Sequence, residues 1–233
     1  MLFDLDDTLY PEHDFVDGGF RAVGAFLGPR LGRTVDEIAA RLWTLHVRDG
    51  RGRLFDTLLA EHGITDDPDL VLACLLAYRT HRPRLELFPG VADAIEELAA
   101  EGYRLGIVSD GQATVQRHKL EGLGPLASLF EAVVLTDELG AGHRKPSAVP
   151  FRVACRVLDV PPAQAAYVGN DPRKDFRGAR EAGLLTIRMG ALPDEGGTGS
   201  MDPRPGDDAD IAIDSFPLLA SLVTGIAAPP RTR

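Results

Sequence analysis

From Phe88 onward the sequence alternates short apolar runs with helical periods, and no other feature restricts the possible folds as strongly. The apolar runs at 103–108, 132–135, 165–168, 184–188 and 211–213 are predicted strands. Helices are predicted at 91–100, near 114–120, near 148–158 and at 178–181, with a closing helix after the last strand. Strands separated by helices pair in parallel and need cover on both faces. The pattern therefore calls for an α/β fold, a doubly wound parallel sheet.

The chain opens on one more apolar run, Met1-Leu2-Phe3, which empties into Asp4-Leu5-Asp6-Asp7-Thr8-Leu9-Tyr10. Only three residues precede Asp4, so this strand is short: its start lies upstream, or the strand is trimmed at its far end. The next stretch, 12–85, is all helical in character. Val16, Phe20, Val23 and Leu27 recur at helical spacing until Gly28-Pro29, a stop signal. Thr34 and Glu37 form a capping box ahead of the stripe Val35, Ile38, Leu42 and Leu45. A polar break at 46–53 precedes Leu54, Phe55, Leu58 and Leu59, and a further helix spans about 70–78. The expected organisation is an α/β core at 1–11 and 86–225, a helical insertion at 12–85 and a flexible tail at 226–233. The Gly- and Pro-rich stretch 193–208 reads as a surface loop. Its Gly196-Gly197-Thr198-Gly199 lacks the Lys-Ser/Thr and the helix start of a phosphate loop.

In sheets of this kind ligands bind at the carboxyl ends of the strands. That rule gathers Asp4 and Asp6, Ser109, the segment after Leu135, and Asn170-Asp171 into one crevice. If strand geometry persists through Leu5, Asp4 and Asp6 share a face. Two such carboxylates repel by about 4 kcal/mol at an effective dielectric near 20, and need a cation or a proton. The alternative is an acidic turn that merely ends the strand. Asp4, Asp6, Asp171 and Asp175 supply hard oxygen ligands suited to Mg²⁺. Ser109 offers a hydroxyl, Asp110 and Gly111 offer backbone amides, and Lys145 brings an ammonium. Together these groups describe a phosphate site.

Composition sets the remaining bounds. With 25 basic and 35 acidic residues the net charge is −10, which argues against a nucleic-acid partner. No apolar run reaches the ~18 residues of a membrane span, and no leader pattern opens the chain. Cys74 and Cys155 match no metal or redox spacing and read as free, buried thiols of a cytoplasmic protein. The six histidines show no metal spacing.

Four motifs in order, Asp4-Leu5-Asp6-Asp7-Thr8, Ser109 within Ile107-Val108-Ser109-Asp110-Gly111, Lys145 within His143-Arg144-Lys145-Pro146, and Gly169-Asn170-Asp171-Pro172-Arg173-Lys174-Asp175, resemble those of the haloacid dehalogenase superfamily. The similarity is to its phosphatases with a helical cap inserted after the first motif. It spans essentially 1–190 and implies a Rossmann-like core. The resemblance implies that Asp4 is the nucleophile forming an aspartyl-phosphate, and that Asp6 is the general acid and then base. It implies that Ser109 and Lys145 hold the phosphoryl group, and that Mg²⁺ lies between Asp4, the backbone carbonyl of Asp6 and the fourth motif. Family members usually carry aspartate where this chain has Asn170. Either Asn170 coordinates through its amide carbonyl or Asp171 takes over, with Asp175 behind them.

The expected substrate is a small phosphate ester such as a sugar phosphate or nucleotide, held also by Thr8, Asp110 and Gly111, and the protein is expected to be a monomer or homodimer. Arg48, Arg51 and Arg53 cluster in the helical break; they form a solvated loop, or Arg51 grips a second acidic group on the substrate. A 2-haloacid dehalogenase lacks the second aspartate present here as Asp6. A phosphomutase uses the same core. A non-catalytic binding protein would be expected to have lost Asp4, Asp6, Ser109 or Lys145, and all four are present.

Overall fold

The computed structural model describes residues 1–190 and 207–225. The expected loop from Pro193 lies outside the described residues up to 206, as does the tail 226–233. The strands are β1 (Leu2–Phe3), β2 (Leu105–Ser109), β3 (Phe130–Leu135), β4 (Ala166–Gly169), β5 (Leu185–Met189) and β6 (Ile211–Ile213). The α-helices are α1 (Glu12–Leu31), α2 (Val35–Asp49), α3 (Leu54–Glu61), α4 (Pro68–Thr80), α5 (Val91–Ala100), α6 (Ala113–Gly122), α7 (Val149–Val157), α8 (Phe176–Ala182) and α9 (Phe216–Gly225). No helix among the described residues is long and apolar enough to cross a membrane.

The chain divides into two compact units. One comprises Met1–Pro11, Glu86–Gln116 and Leu123–Arg233; the other comprises Glu12–Leu85 and Arg117–Gly122. In the first unit the strands form a six-stranded sheet in the order β3-β2-β1-β4-β5-β6, each neighbour parallel. The α/β class read from the sequence is the one observed. From β1 the chain winds outward through β2 and β3, then returns to the far side of β1 for β4. This reversal beside β1 is a topological switch point, where the carboxyl ends of open parallel sheets form a crevice.

β1 is short but central. Leu2 pairs with Gly106 and Tyr167, and the Asp4 N–H still reaches Val168 O at 2.9 Å, which carries the ladder one residue beyond the strand. Gly106 stands where a Cβ would fall 2.8 Å from the Leu2 side chain and 3.1 Å from Ala132. A larger residue there would push β1 away from β2. Under the sheet, Leu2, Val108, Val134, Phe151, Tyr167 and Ala179 pack into one buried cluster.

The helical unit packs α1 to α4 around Phe20, Leu27, Leu42, Leu58 and Cys74. Thr34 and Glu37 make both hydrogen bonds of the expected capping box at α2. α1, however, runs through the expected Gly28-Pro29 stop to Leu31, with Pro29 inside it. Its closure comes at Gly32, whose φ of 62° lets the Arg33 N–H reach back to Gly28 O at 3.1 Å. This is a left-handed closure of the Schellman type, which satisfies a carbonyl that the helix end would leave bare. The polar break is also shorter than expected, because α2 continues to Asp49 before Gly50 turns the chain. Cys74 and Cys155 are free and buried, as the sequence implied.

Candidate active site

Asp4 ends the central strand and is 1% exposed. Its Oδ2 lies 2.9 Å from Lys145 Nζ and 3.4 Å from Lys174 Nζ. Burial opposes its ionisation, yet the two ammonium groups outweigh that and hold the carboxyl down to about 2. The repulsion expected among the carboxylates is thus met by cations of the chain itself.

Lys145 also donates to Asp175 Oδ1 at 2.7 Å and to the Tyr167 hydroxyl at 2.9 Å. Asp175 in turn accepts the backbone N–H groups of Asn170 and Asp171 on Oδ2, at 3.1 and 2.8 Å, which folds the loop after β4 around its carboxylate. Gly169 makes room for this, since a Cβ there would lie 2.6 Å from Asp175 Oδ2. Burial pushes the Asp175 carboxyl up, Lys145 pulls it down, and the neighbouring Asp4 adds to the rise. Of the two acids sharing Lys145, Asp4 is the one whose pKa falls and Asp175 the one whose pKa rises.

Asp6 is positioned differently from the simple expectation. The strand stops at Phe3, and the chain then turns tightly: Leu9 N–H bonds Leu5 O at 2.9 Å, and Asp7, at a φ of 54°, donates its N–H to Tyr10 O. Asp7 thus shapes the loop, aspartate being among the non-glycine residues that tolerate this left-handed conformation. Tyr10 donates its hydroxyl to Asp6 Oδ1 at 2.9 Å, and Gln116 Nε2 approaches Oδ2 at 3.3 Å. Both Asp4 and Asp6 draw the Lys174 pKa upward, with Asp4 the stronger. The turn after Phe3, rather than strand geometry continued through Leu5, sets the place of Asp6.

Gln116 is a buried hub, donating also to Ser109 Oγ at 2.7 Å and to Asp110 O at 2.6 Å. Asp110 uses its side chain to accept from Thr136 Oγ1 at 2.7 Å and from the Lys145 N–H at 3.1 Å, tying the ends of β2 and β3 to the lysine segment. Gly111 sits at a φ of 129°, where a Cβ would meet Gln116 at 3.1 Å. Thr8 Oγ1 lies 3.4 Å from the Asn170 side-chain carbonyl. Asp171 has Oδ1 accepting from Arg173 N and Nε and Oδ2 accepting from Nη2, each at 3.0 Å.

The structure thus brings Asp4, Asp6, Thr8, Ser109, Asp110, Gly111, Lys145, Asn170, Asp171 and Asp175 to the carboxyl ends of one sheet. Arg51 belongs to the helical unit and pairs there with Glu12, while Arg48 pairs with Asp49 and Arg53 with Asp56. Three participants escaped sequence reasoning. Lys174 lies inside the fourth motif, next to Asp175, and its charge was the available signal. Tyr167 and Gln116 gave none, because a tyrosine in an apolar strand and a glutamine on a helix are unremarkable before folding. A metal at this end of the sheet would draw on the Asp4 carboxylate, the Asp6 peptide carbonyl, and Asn170 or Asp171, the last of which already accepts from Arg173 on both oxygens. Among the described residues no group of three or more His, Cys, Asp or Glu side chains is disposed to hold a metal by itself.

The sequence matches the family model described as haloacid dehalogenase-like hydrolase over residues 1–183. It is 34% identical to a glyceraldehyde 3-phosphate phosphatase of Methanopyrus kandleri, over 97% of both chains. It is 35% identical to a phosphoserine phosphatase of Thermus thermophilus, over 67% of this chain and 61% of that one. Among solved structures, a 2-haloacid dehalogenase of Pseudomonas syringae pv. Tomato superposes with a TM-score of 0.62 at 27% identity, covering 97% of this chain and 98% of the other.

Proposed function

This chain belongs to the haloacid dehalogenase-like hydrolases, and from that premise we propose that it is a phosphatase of small phosphorylated metabolites, sugar phosphates foremost. The observation that carries the reading is Asp4: buried, ionised, and facing two lysines at the carboxyl end of the central strand. A carboxylate kept charged in a closed site is a nucleophile, and attack on phosphorus splits hydrolysis into two easier steps. Bond formation between an Asp4 oxygen and phosphorus expels the alcohol oxygen, which takes a proton from Asp6. Asp6 then removes a proton from the water that attacks the aspartyl-phosphate and releases inorganic phosphate. Tyr10 and Gln116 hold the two oxygens of Asp6 and fix its aim. Ser109 and the amides of Asp110 and Gly111 face the phosphoryl oxygens, and Lys145 keeps Asp4 charged.

The relatives named as glyceraldehyde 3-phosphate and phosphoserine phosphatases support this substrate class. A dehalogenase reading gains from the structural likeness, but Asp6, held by two donors, has no task in it.

The oxygen donor set suits a hard cation such as Mg²⁺. Asp4, the Asp6 carbonyl and Asn170 would hold it, because Asp171 has both carboxylate oxygens engaged by Arg173. Bound there, it would neutralise charge on the transferring phosphoryl group.

The test is a phosphate-release screen over phosphorylated metabolites, with Mg²⁺ and with chelator, on wild type and Asp4→Asn. Turnover is expected for wild type with Mg²⁺ and a loss of at least about 10³-fold for the variant. Undiminished turnover in Asp4→Asn would overturn the mechanism.

A further inference from the structure

Ser109 ends β2, the strand beside β1, and is 1% exposed. A hydroxyl gives one hydrogen and accepts on two lone pairs, so what it offers an anion depends on which of these its neighbours leave over. The neighbour here is Gln116, equally buried. Its Nε2 lies 2.6 Å from Asp110 O, 2.7 Å from Ser109 Oγ and 3.3 Å from Asp6 Oδ2. A peptide carbonyl only accepts, so the atom facing Asp110 O is the amide NH₂, which only donates. Its two hydrogens serve the two near acceptors, and Asp6 Oδ2 is the weaker third. Ser109 Oγ therefore accepts from Gln116 and keeps its own proton. Among the described residues the acceptor within reach of that proton is Asp110 O at 3.5 Å, well past the about 2.5–3.0 Å of an O–H···O bond. A buried hydroxyl is left with an unspent hydrogen at the carboxyl end of a strand.

We propose that Gln116 is a positioning residue for phosphate: by donating to Ser109 Oγ, it commits the Ser109 hydroxyl to give its own proton to a phosphoryl oxygen. The inference rests on the phosphatase reading above. Without the Gln116 amide the hydroxyl is free to turn, and can offer the anion a lone pair as readily as a hydrogen. Gly111 belongs to the same device, since a Cβ there would meet the Gln116 side chain at 3.1 Å and crowd it from its place.

The experiment titrates inorganic phosphate into the full chain in Mg²⁺ buffer by calorimetry and follows p-nitrophenyl phosphate hydrolysis in parallel. Gln116→Met, of similar length and without a donor, should weaken phosphate binding about 3- to 10-fold, and Ser109→Ala about 10-fold or more. In the Ser109→Ala background Gln116→Met should cost less than about 2-fold, because a residue acting through a hydroxyl has no effect once the hydroxyl is gone. A residue that merely packs would cost the same in both backgrounds, and that result would overturn the inference. Phosphate bound by Gln116→Met as tightly as by wild type, with wild type hydrolysing the ester, would also overturn it and leave the phosphatase reading standing. Should Gln116→Met fail to fold, Gln116→Glu runs the same cycle, since an ionised carboxylate has no hydrogen to give. Its loss of phosphate affinity should then be at least about 3-fold smaller in the Ser109→Ala background, and an equal loss would overturn the inference. A wild type that neither binds phosphate nor hydrolyses any ester would take both down.

Discussion

At Asp4 two opposing effects of burial are visible in one side chain. Removing a carboxylate from water disfavours its charge, and placing it beside two lysines restores it; the lysines prevail and the carboxyl sits at about 2. A carboxyl whose folded value is depressed adds stability above its unfolded value, near 3.8, and loses it as pH falls through the folded one. The difference corresponds to about 2 kcal/mol. Urea unfolding of wild type and Asp4→Asn between pH 6 and pH 2 should show a constant gap above about pH 4 that narrows by that amount on the way to 2. A gap independent of pH would refute it. The residues of this site were legible where chemistry is local to a motif, as for Asp4, Asp6, Ser109 and Lys145. They were hidden where importance arises by convergence. Tyr167 matters only because Lys145 and Asp175 arrive at its hydroxyl from elsewhere in the chain.

Between elements, fit decides more than propensity. α8 approaches the lysine segment so closely that a Cβ on Gly178 would lie 2.2 Å from Pro146 O and 2.7 Å from Ser147 O. Gly178→Ala should raise helix propensity and still lower stability by about 1–3 kcal/mol, since α8 or the segment carrying Lys145 must shift. Chemical denaturation measures the loss, and an unchanged or raised midpoint would refute the prediction. The same contrast explains which elements could be read in advance. The Thr34–Glu37 box was visible because a cap is a contract between residues three apart. The end of α1 was misjudged at Gly28-Pro29 because Gly28 serves packing: a Cβ there would sit 2.7 Å from Arg33 O, and the turn itself belongs to Gly32. A glycine required by a neighbour looks, in a sequence, like a glycine required by a turn.

Over the whole chain, the helical unit is an insertion whose two ends meet. The Phe88 N–H bonds Leu9 O at 2.9 Å, so the path that leaves the sheet unit after Pro11 returns close to its exit. Replacing Glu12–Leu85 with a short Gly/Ser linker should leave β1, β2 and β4 protected from hydrogen exchange. Residues 117–122 should lose protection, because Lys119 lies over the Phe15 ring and His118 bonds Arg79 O. Exchange throughout the sheet would show instead that it depends on the insertion. The alternation from Phe88 disclosed the sheet, since strands and helices write their periods locally, whereas the order of strands is a property of the assembled layer. That order carries a consequence for biosynthesis. β1 is translated early, but its neighbours are Gly106 and Tyr167, and the groups that sustain Asp4 are Lys145 and Lys174. On the ribosome, Asp4 must wait until the first four of the six strands have been made before Lys174 follows. A chain that stalls before Lys174 holds the Asp4 carboxylate without the second of the two ammonium groups that hold its charge.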